Sequence, residues 1–405
     1  MSSRNPSKVA SQPLPPNWRH LWALDPNITF LNHGSFGACP IPVLEKQQAF
    51  RAQLEAEPVR FFESELEPLL DESRRQLAQF VGADPAHVAF VPNATTGVNT
   101  VLRSLTFHPD DELLTTDQEY NASRNALNFA ANRAGIKVVI AKVPFPIGSP
   151  DQVIAAVMEK VSPRTRLVLL DHVVSQTALI FPIQELVRQL SERGIATLID
   201  GAHAPGMIPL NLENLGATYY TGNCHKWLCA PKGSAFLYVR PDQQNSIRPL
   251  VISHGANSSR RDRSQFHLEF DWTGTGDPTP YLCVAEAIRL MGSLLPGGWP
   301  EVMASNRAMA IAARQFLCDT LNIEPPCPES MLGAMATLPL SDGLVEPLHK
   351  ALLHRFKIEV PIIPWHGFPN RLIRISAQLY NTLADYDDLA RALVKLLAEP
   401  NHREL

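Results

Sequence analysis

The chain has 405 residues, with 36 Lys and Arg against 40 Asp and Glu for a formal net charge of −4. At 45% hydrophobic and 19% charged residues, it is too apolar for a disordered chain. The near-neutral balance argues against a main task of gripping nucleic acid or an anionic membrane surface. Length alone fits two to three domains at roughly 150 residues each.

Residues 1–20 are polar and Pro-rich, and 1–30 is expected to be an N-terminal arm, partly disordered. Amphipathic runs at 43–55 and 68–80 predict helices, followed by a short apolar strand over 87–91. Helices are then expected at 95–105, 122–134, 151–160 and 184–193. Strands are expected to alternate with them at 112–115, 137–143, 166–170 and 196–199, with the last at 217–220 and 234–239. Strands alternating with helices of this length mean an α/β domain, 31–280, whose mostly parallel sheet is covered on both faces. After 281 come helical runs at 281–294 and 300–319, strand candidates near 334–338, 358–363 and 371–376, and a helix over 385–398. This predicts a smaller α+β domain, 281–405. Six scattered Cys form no C-x-x-C pair, and no stretch approaches 18 uninterrupted apolar residues, so a cytoplasmic protein with reduced thiols is expected.

The chain has no G-x-G-x-x-G after a strand, no G-x-x-x-x-G-K-[ST], no H-E-x-x-H and no G-x-S-x-G. What remains is four polar clusters just past strand ends, where an open α/β sheet binds ligands. Around Asn93, Thr95 and Thr96, a helix start offers free N–H groups, its dipole and two hydroxyls to an anion, although an ordinary helix cap reads equally well. Tyr120 can stack on a planar ring or simply pack over the next helix start. Asp200 ends an apolar strand, where a carboxylate needs a partner such as a protonated ring nitrogen, a helix start or an Arg. Lys226 precedes an apolar segment. If buried, its pKa falls and favours the neutral amine that Schiff-base chemistry uses, whereas a lone Lys ordinarily lies at the surface. An anion cradle, a stacking group, a pyridinium partner and a Schiff-base amine together make the inventory that pyridoxal phosphate requires.

These residues lie within LNHGSFG (31–37), NATTGVN (93–99), TTDQEYNA (115–122), HVVSQT (172–177), IDGAH (199–203), TGNCHKWLCAPKG (221–233), WTGTGD (272–277) and IRISAQLYN (373–381). Through these segments, spread over about 30–395, the sequence resembles the class V aminotransferase family of fold-type-I pyridoxal-phosphate enzymes, in its isopenicillin N epimerase-like branch. The resemblance implies that Lys226 carries the cofactor and moves the Cα proton. It also implies that Asp200 pairs with the pyridine nitrogen, that His203 and Ser175 contact the cofactor, and that Tyr120 stacks on its ring. Thr95, Thr96, Asn223 and His225 would hold the phosphate. Thr275 would reach the phosphate in the neighbouring subunit of a homodimer with shared active sites, unless it is only a turn residue. Arg374 would clamp a substrate carboxylate, unless it belongs to a surface pair, and Asn32 and His33 would line the substrate side.

The implied reaction is at Cα of an amino acid or aminoacyl peptide. The resemblance favours epimerisation, with Tyr120 or His33 as second acid. Transamination and C–S or C–N lysis are the alternatives, and a non-catalytic cofactor-binding homologue is a reading from another class. Relatives that are cysteine desulfurases carry a catalytic Cys in a loop matching 360–370, which has none here, so persulfide transfer is not expected. Ala178 stands where relatives often have Gly, and Asn223-Cys224 where some have Ser-Gly.

Overall fold

In the computed structural model, which describes residues 18–366 and 370–399, seven strands form the central sheet. They are β1 (Val88–Val91), β2 (Glu112–Thr116), β3 (Lys137–Ala141), β4 (Thr165–Asp171), β5 (Ala196–Asp200), β6 (Tyr219–Asn223) and β7 (Ala235–Val239). Their spatial order is β1-β7-β6-β5-β4-β2-β3. Only β7 runs against the rest, pairing antiparallel with both β1 and β6. Helices α1 (Ile41–Ala56), α2 (Leu66–Val81), α3 (Ala94–Ser104), α4 (Asn121–Ala134), α5 (Asp151–Glu159) and α6 (Ile183–Ser191) flank it.

The two-residue period of a strand sends successive side chains to opposite faces, and here both faces are buried. Phe90, Leu114, Val168, Leu170, Ile199, Tyr220 and Phe236 join one core with residues of α1, α2, α5 and α6. Ala89, Leu113, Leu167, Leu169, Leu198, Tyr219 and Leu237 join a second with α3 and α4. Strand β6 runs on to Asn223, past the expected 217–220, because buried Thr221, Gly222 and Asn223 interrupt the apolar pattern from which strands are read.

Beyond the sheet lie α7 (Val284–Ser293) and α8 (Gly298–Leu321). Next come a three-stranded antiparallel sheet of β8 (Met335–Leu340), β9 (Ile362–Pro364) and β10 (Arg371–Ser376), helix α9 (Val345–Phe356) and helix α10 (Leu383–Ala398). The capping box of Thr382 and Asp385 starts α10. Sequence reading gave no helix at α9, where only Leu348, Ala351 and Leu352 are buried. The run expected at 358–363 is two elements, because Ile358–Glu359 pairs in parallel with Thr29–Phe30 and only Ile362–Pro364 joins the small sheet. Residues 1–17 of the expected arm lie outside the described residues. Its later part is docked: Trp22 is buried, packs edge-on against Tyr380 at 5.1 Å and donates Nε1–H to the Ala38 carbonyl at 3.1 Å. No helix among the described residues is long and apolar enough to cross a membrane.

After β4 the chain doubles back in a turn that brings Ser175 into reach of β10. The Val174 N–H donates to the Leu179 carbonyl at 2.9 Å, and Ala178 closes the turn at φ +59°. That left-handed conformation costs a residue with a Cβ about 1 kcal/mol. Ala178→Gly is therefore expected to stabilise the chain by about 0.5–1 kcal/mol, read as a higher thermal midpoint.

Candidate active site

The carboxyl ends of β2, β4, β5 and β6, with the start of α3, converge on one lysine. Lys226 follows β6, is part-buried, and places Nζ 3.1 Å from Nε2 of His203. Burial, then repulsion from the Arg374 guanidinium, pulls its pKa down to about 7, against the weaker pull of Asp200 and Asp171. His203 is held neutral by burial and the same cations. Its Nδ1 is a buried atom without a hydrogen-bond partner, and the direction of the contact with Lys226 sets which nitrogen carries the ring proton. Two neighbours fix the lysine's backbone. Gly37, at φ +69°, lets the N-terminal segment close down, since a Cβ there would meet the His225 carbonyl oxygen at 2.1 Å. His33 lies 4.8 Å from the Trp227 ring, with Nδ1 2.8 Å from the Tyr380 hydroxyl and Nε2 3.1 Å from the Lys226 carbonyl. Burial holds His33 neutral, its pKa pulled down to about 3. The structure thus puts His33 behind Lys226 and not on the expected substrate side, and with both nitrogens engaged it offers no proton to a substrate.

Asp200 ends β5 and is buried. Its Oδ2 accepts from Ser123 Oγ at 2.7 Å and its Oδ1 from the Ala202 N–H at 3.0 Å, so it neither caps a helix nor pairs with an Arg. Burial raises its pKa, and those two donors and Lys226 oppose the rise. Beside it stand Asp171, paired with Asp200 in register across β4 and β5, and Glu119. Sequence reading missed both, along with Ser123. An apolar strand ending in Asp, the pattern that singled out Asp200, also occurs at Asp171. Tyr120, half-exposed, precedes α4, and its backbone N–H donates to Asp171 Oδ2 at 3.2 Å.

At the start of α3 the plain reading holds in part: Asn93 caps the helix, its Oδ1 accepting the Thr96 N–H at 2.8 Å. Asn223 crosses from β6 to accept the Ala94 N–H at 2.8 Å, which ties the helix start to the lysine's strand. A Cβ on Gly97 would sit 2.2 Å from Thr221 Oγ1, so only Gly allows this close approach. Thr95 and Thr96 remain part-exposed at the positive end of the helix. His225 lies 3.0 Å from the Ser234 carbonyl through Nδ1, and burial lowers its pKa to about 4. Donating there leaves Nε2 as an acceptor, so His225 gives an anion a proton only when a second one is taken up. Thr275 lies on an exposed loop, and nothing in the single chain brings it to this group.

Arg374, on β10, is buried and belongs to no surface pair. Its Nη1 donates to the Ser175 carbonyl and, at 3.2 Å, to Ser175 Oγ, and its Nη2 donates to Ser35 Oγ at 2.9 Å. Ser35 in turn donates to Asn32 Oδ1, and Asn32 Nδ2 is held by Glu359 Oε1 at 2.9 Å. Asn32 therefore positions Arg374 through Ser35. No carboxylate neutralises the guanidinium among these contacts, its Nε has no partner, and burial lowers its pKa to about 10. It faces the site as an unneutralised cation.

A desolvated amine, a buried carboxylate for a ring nitrogen, a neutral His beside the amine with one unpartnered nitrogen and a helix start with two hydroxyls fit pyridoxal phosphate. The comparisons agree. The family described as "Aminotransferase class-V" matches residues 34–312. An isopenicillin N epimerase of Amycolatopsis lactamdurans is 36% identical over 395 residues, covering 94% of this chain and 98% of the relative. A probable chloroplastic L-cysteine desulfhydrase of Arabidopsis thaliana is 28% identical, covering 98% and 88%. Among solved structures, a mutant of C-DES with glycine covalently linked to its PLP cofactor superposes with a TM-score of 0.78 at 24% identity, covering 93% of this chain and 98% of that one. The chain belongs to the class V aminotransferase family and is a pyridoxal-phosphate-dependent enzyme of its α/β fold.

Proposed function

We propose that the protein epimerises an amino acid, or a peptide bearing one, at Cα. The observation that carries this reading is the placement of a desolvated Lys226 amine and an unneutralised Arg374 in one site. Arg374 holds the substrate carboxylate through the donors left free by Ser175 and Ser35, and its planar fork fixes the direction of the Cα–H bond. Lys226 takes the Cα proton. When bound, pyridoxal phosphate supplies an electron sink for the pair left at Cα. Asp200 would hold the ring nitrogen's proton, and His203 and Ser175 would contact the bound cofactor. Thr95, Thr96, Asn223 and His225 hold the phosphate. Tyr120, within electrostatic reach of Arg374, would lie against the bound ring and would return a proton to Cα in place of the one Lys226 takes. That return inverts the centre.

The relatedness to an isopenicillin N epimerase over nearly the whole chain supports inversion. The second reading is β-elimination, supported by relatives named L-cysteine desulfhydrases. A homodimer fits the same account. Thr275 and the apolar Leu250-Val251-Ile252 run are exposed on the single chain, and the partner copy would bring Thr275 to this phosphate site.

Proton NMR in heavy water, with L-amino acids and δ-(aminoadipyl) peptides in the presence and absence of a 2-oxo acid, separates the readings. Epimerisation predicts loss of the Cα–H signal and accumulation of the D-form or epimer without any acceptor. Exchange only with the acceptor identifies a transaminase, and a keto or unsaturated product alone identifies a lyase. Arg374→Ala is expected to raise KM on the order of 10–100-fold, as loss of a charged hydrogen-bond pair does, with a smaller change in kcat.

A further inference from the structure

We propose that Glu119 is a positioning residue of this site: it holds a proton and so leaves Asp200 as the one anion of a three-carboxyl cluster completed by Asp171. This rests on the cofactor reading above for its consequence, but not for the proton itself. One oxygen each of Glu119, Asp171 and Asp200 lies within 4.8 Å of the other two, and all three residues are buried. Like charges this close, out of water, cannot all ionise. The donors rank them. Asp200 receives two, from Ser123 Oγ and the Ala202 N–H. Asp171 receives the Tyr120 N–H. Glu119 receives the Thr115 hydroxyl at 3.1 Å and a share of the same Tyr120 N–H, and its Oε1 is buried without a partner.

The groups around the cluster do not neutralise it. Arg124 acts on Glu119 from a distance, while its Nη1 is committed to the Thr116 carbonyl at 2.9 Å and it also feels Asp117. The Lys226 amine acts on Asp171 and Asp200. The Tyr220 phenol, 2.9 Å from His172 Nδ1, is next to Asp200 and pushed up by burial. Burial, then the charge on Asp200, pushes Glu119 up to about 8, and burial with both neighbours raises Asp171. With Glu119 and Asp171 both disfavoured as anions, the negative charge falls on Asp200, the residue with the most donors. Ionising Glu119 releases its proton to solvent, adds a second charge beside Asp200, and makes a ring nitrogen held there more basic.

The test is an infrared titration of the full chain, carrying carbon-13-labelled glutamate, first without cofactor. A protonated glutamyl carbonyl band is expected at neutral pH, fading as pH rises through about 8 and missing in Glu119→Gln. In the pyridoxal-phosphate-loaded protein, Glu119→Gln is expected to keep the cofactor's neutral-pH absorption spectrum and to lose its alkaline step. A glutamyl group fully ionised at neutral pH in the unsubstituted chain overturns the proposal, and this arm holds even if the variant does not fold. So does a neutral-pH spectrum shifted by Glu119→Gln, or a divalent cation retained at the cluster. Failure to bind cofactor with the infrared band intact sinks the cofactor reading instead and leaves the proton on Glu119.

Discussion

The site depends on one costly burial, the enclosure of Lys226 with its nitrogen against a neutral His instead of a carboxylate. An ammonium is poorly tolerated there, so the proton leaves and the amine is available near neutral pH. Several segments serve to keep it enclosed. His33 and Gly37 close the N-terminal segment over the lysine's backbone, Trp227 packs beneath, and Arg374 adds a second cation that drives the proton off. The docking of Trp22 and the pairing of Thr29–Phe30 with Ile358–Glu359 hold that segment in place.

The same logic runs in the opposite sense at Asp200. Burial disfavours its ionisation, and the Ser123 hydroxyl, the Ala202 N–H and Lys226 act in favour of the charge. The sheet thus sets an anion and a neutral amine at neighbouring strand ends, β5 and β6, where a cofactor ring can lie between a charge partner and a nucleophile. The anion cradle is bound into this frame by Asn223, which reaches from the lysine's own strand to the first N–H of α3.

Much of this was legible in the sequence. Apolar runs of strand length marked the sheet, because strands buried on both faces read as continuous hydrophobic stretches. Lys226, Asp200 and Tyr120 stood out as polar residues just past such runs. What escaped were relations made by tertiary structure. Asp171 ends an apolar strand as Asp200 does, but only strand pairing sets it beside Asp200, and Glu119 looks like an ordinary acid until the turn after β2 folds it back. The engagement of His33 with Tyr380 and the Lys226 carbonyl spans most of the chain, and no local pattern encodes it. Helix α9 was hidden by its few buried apolar positions, and the end of β6 by the polar residues that the site requires.

The most direct test of the central claim is the pH dependence of the rate at which the cofactor-free protein captures pyridoxal phosphate on Lys226, trapped by borohydride reduction and located by peptide mapping. A desolvated lysine predicts that the rate rises and levels off with an inflection at about 7. An inflection in the ordinary lysine range, or trapping at another residue, would contradict the account.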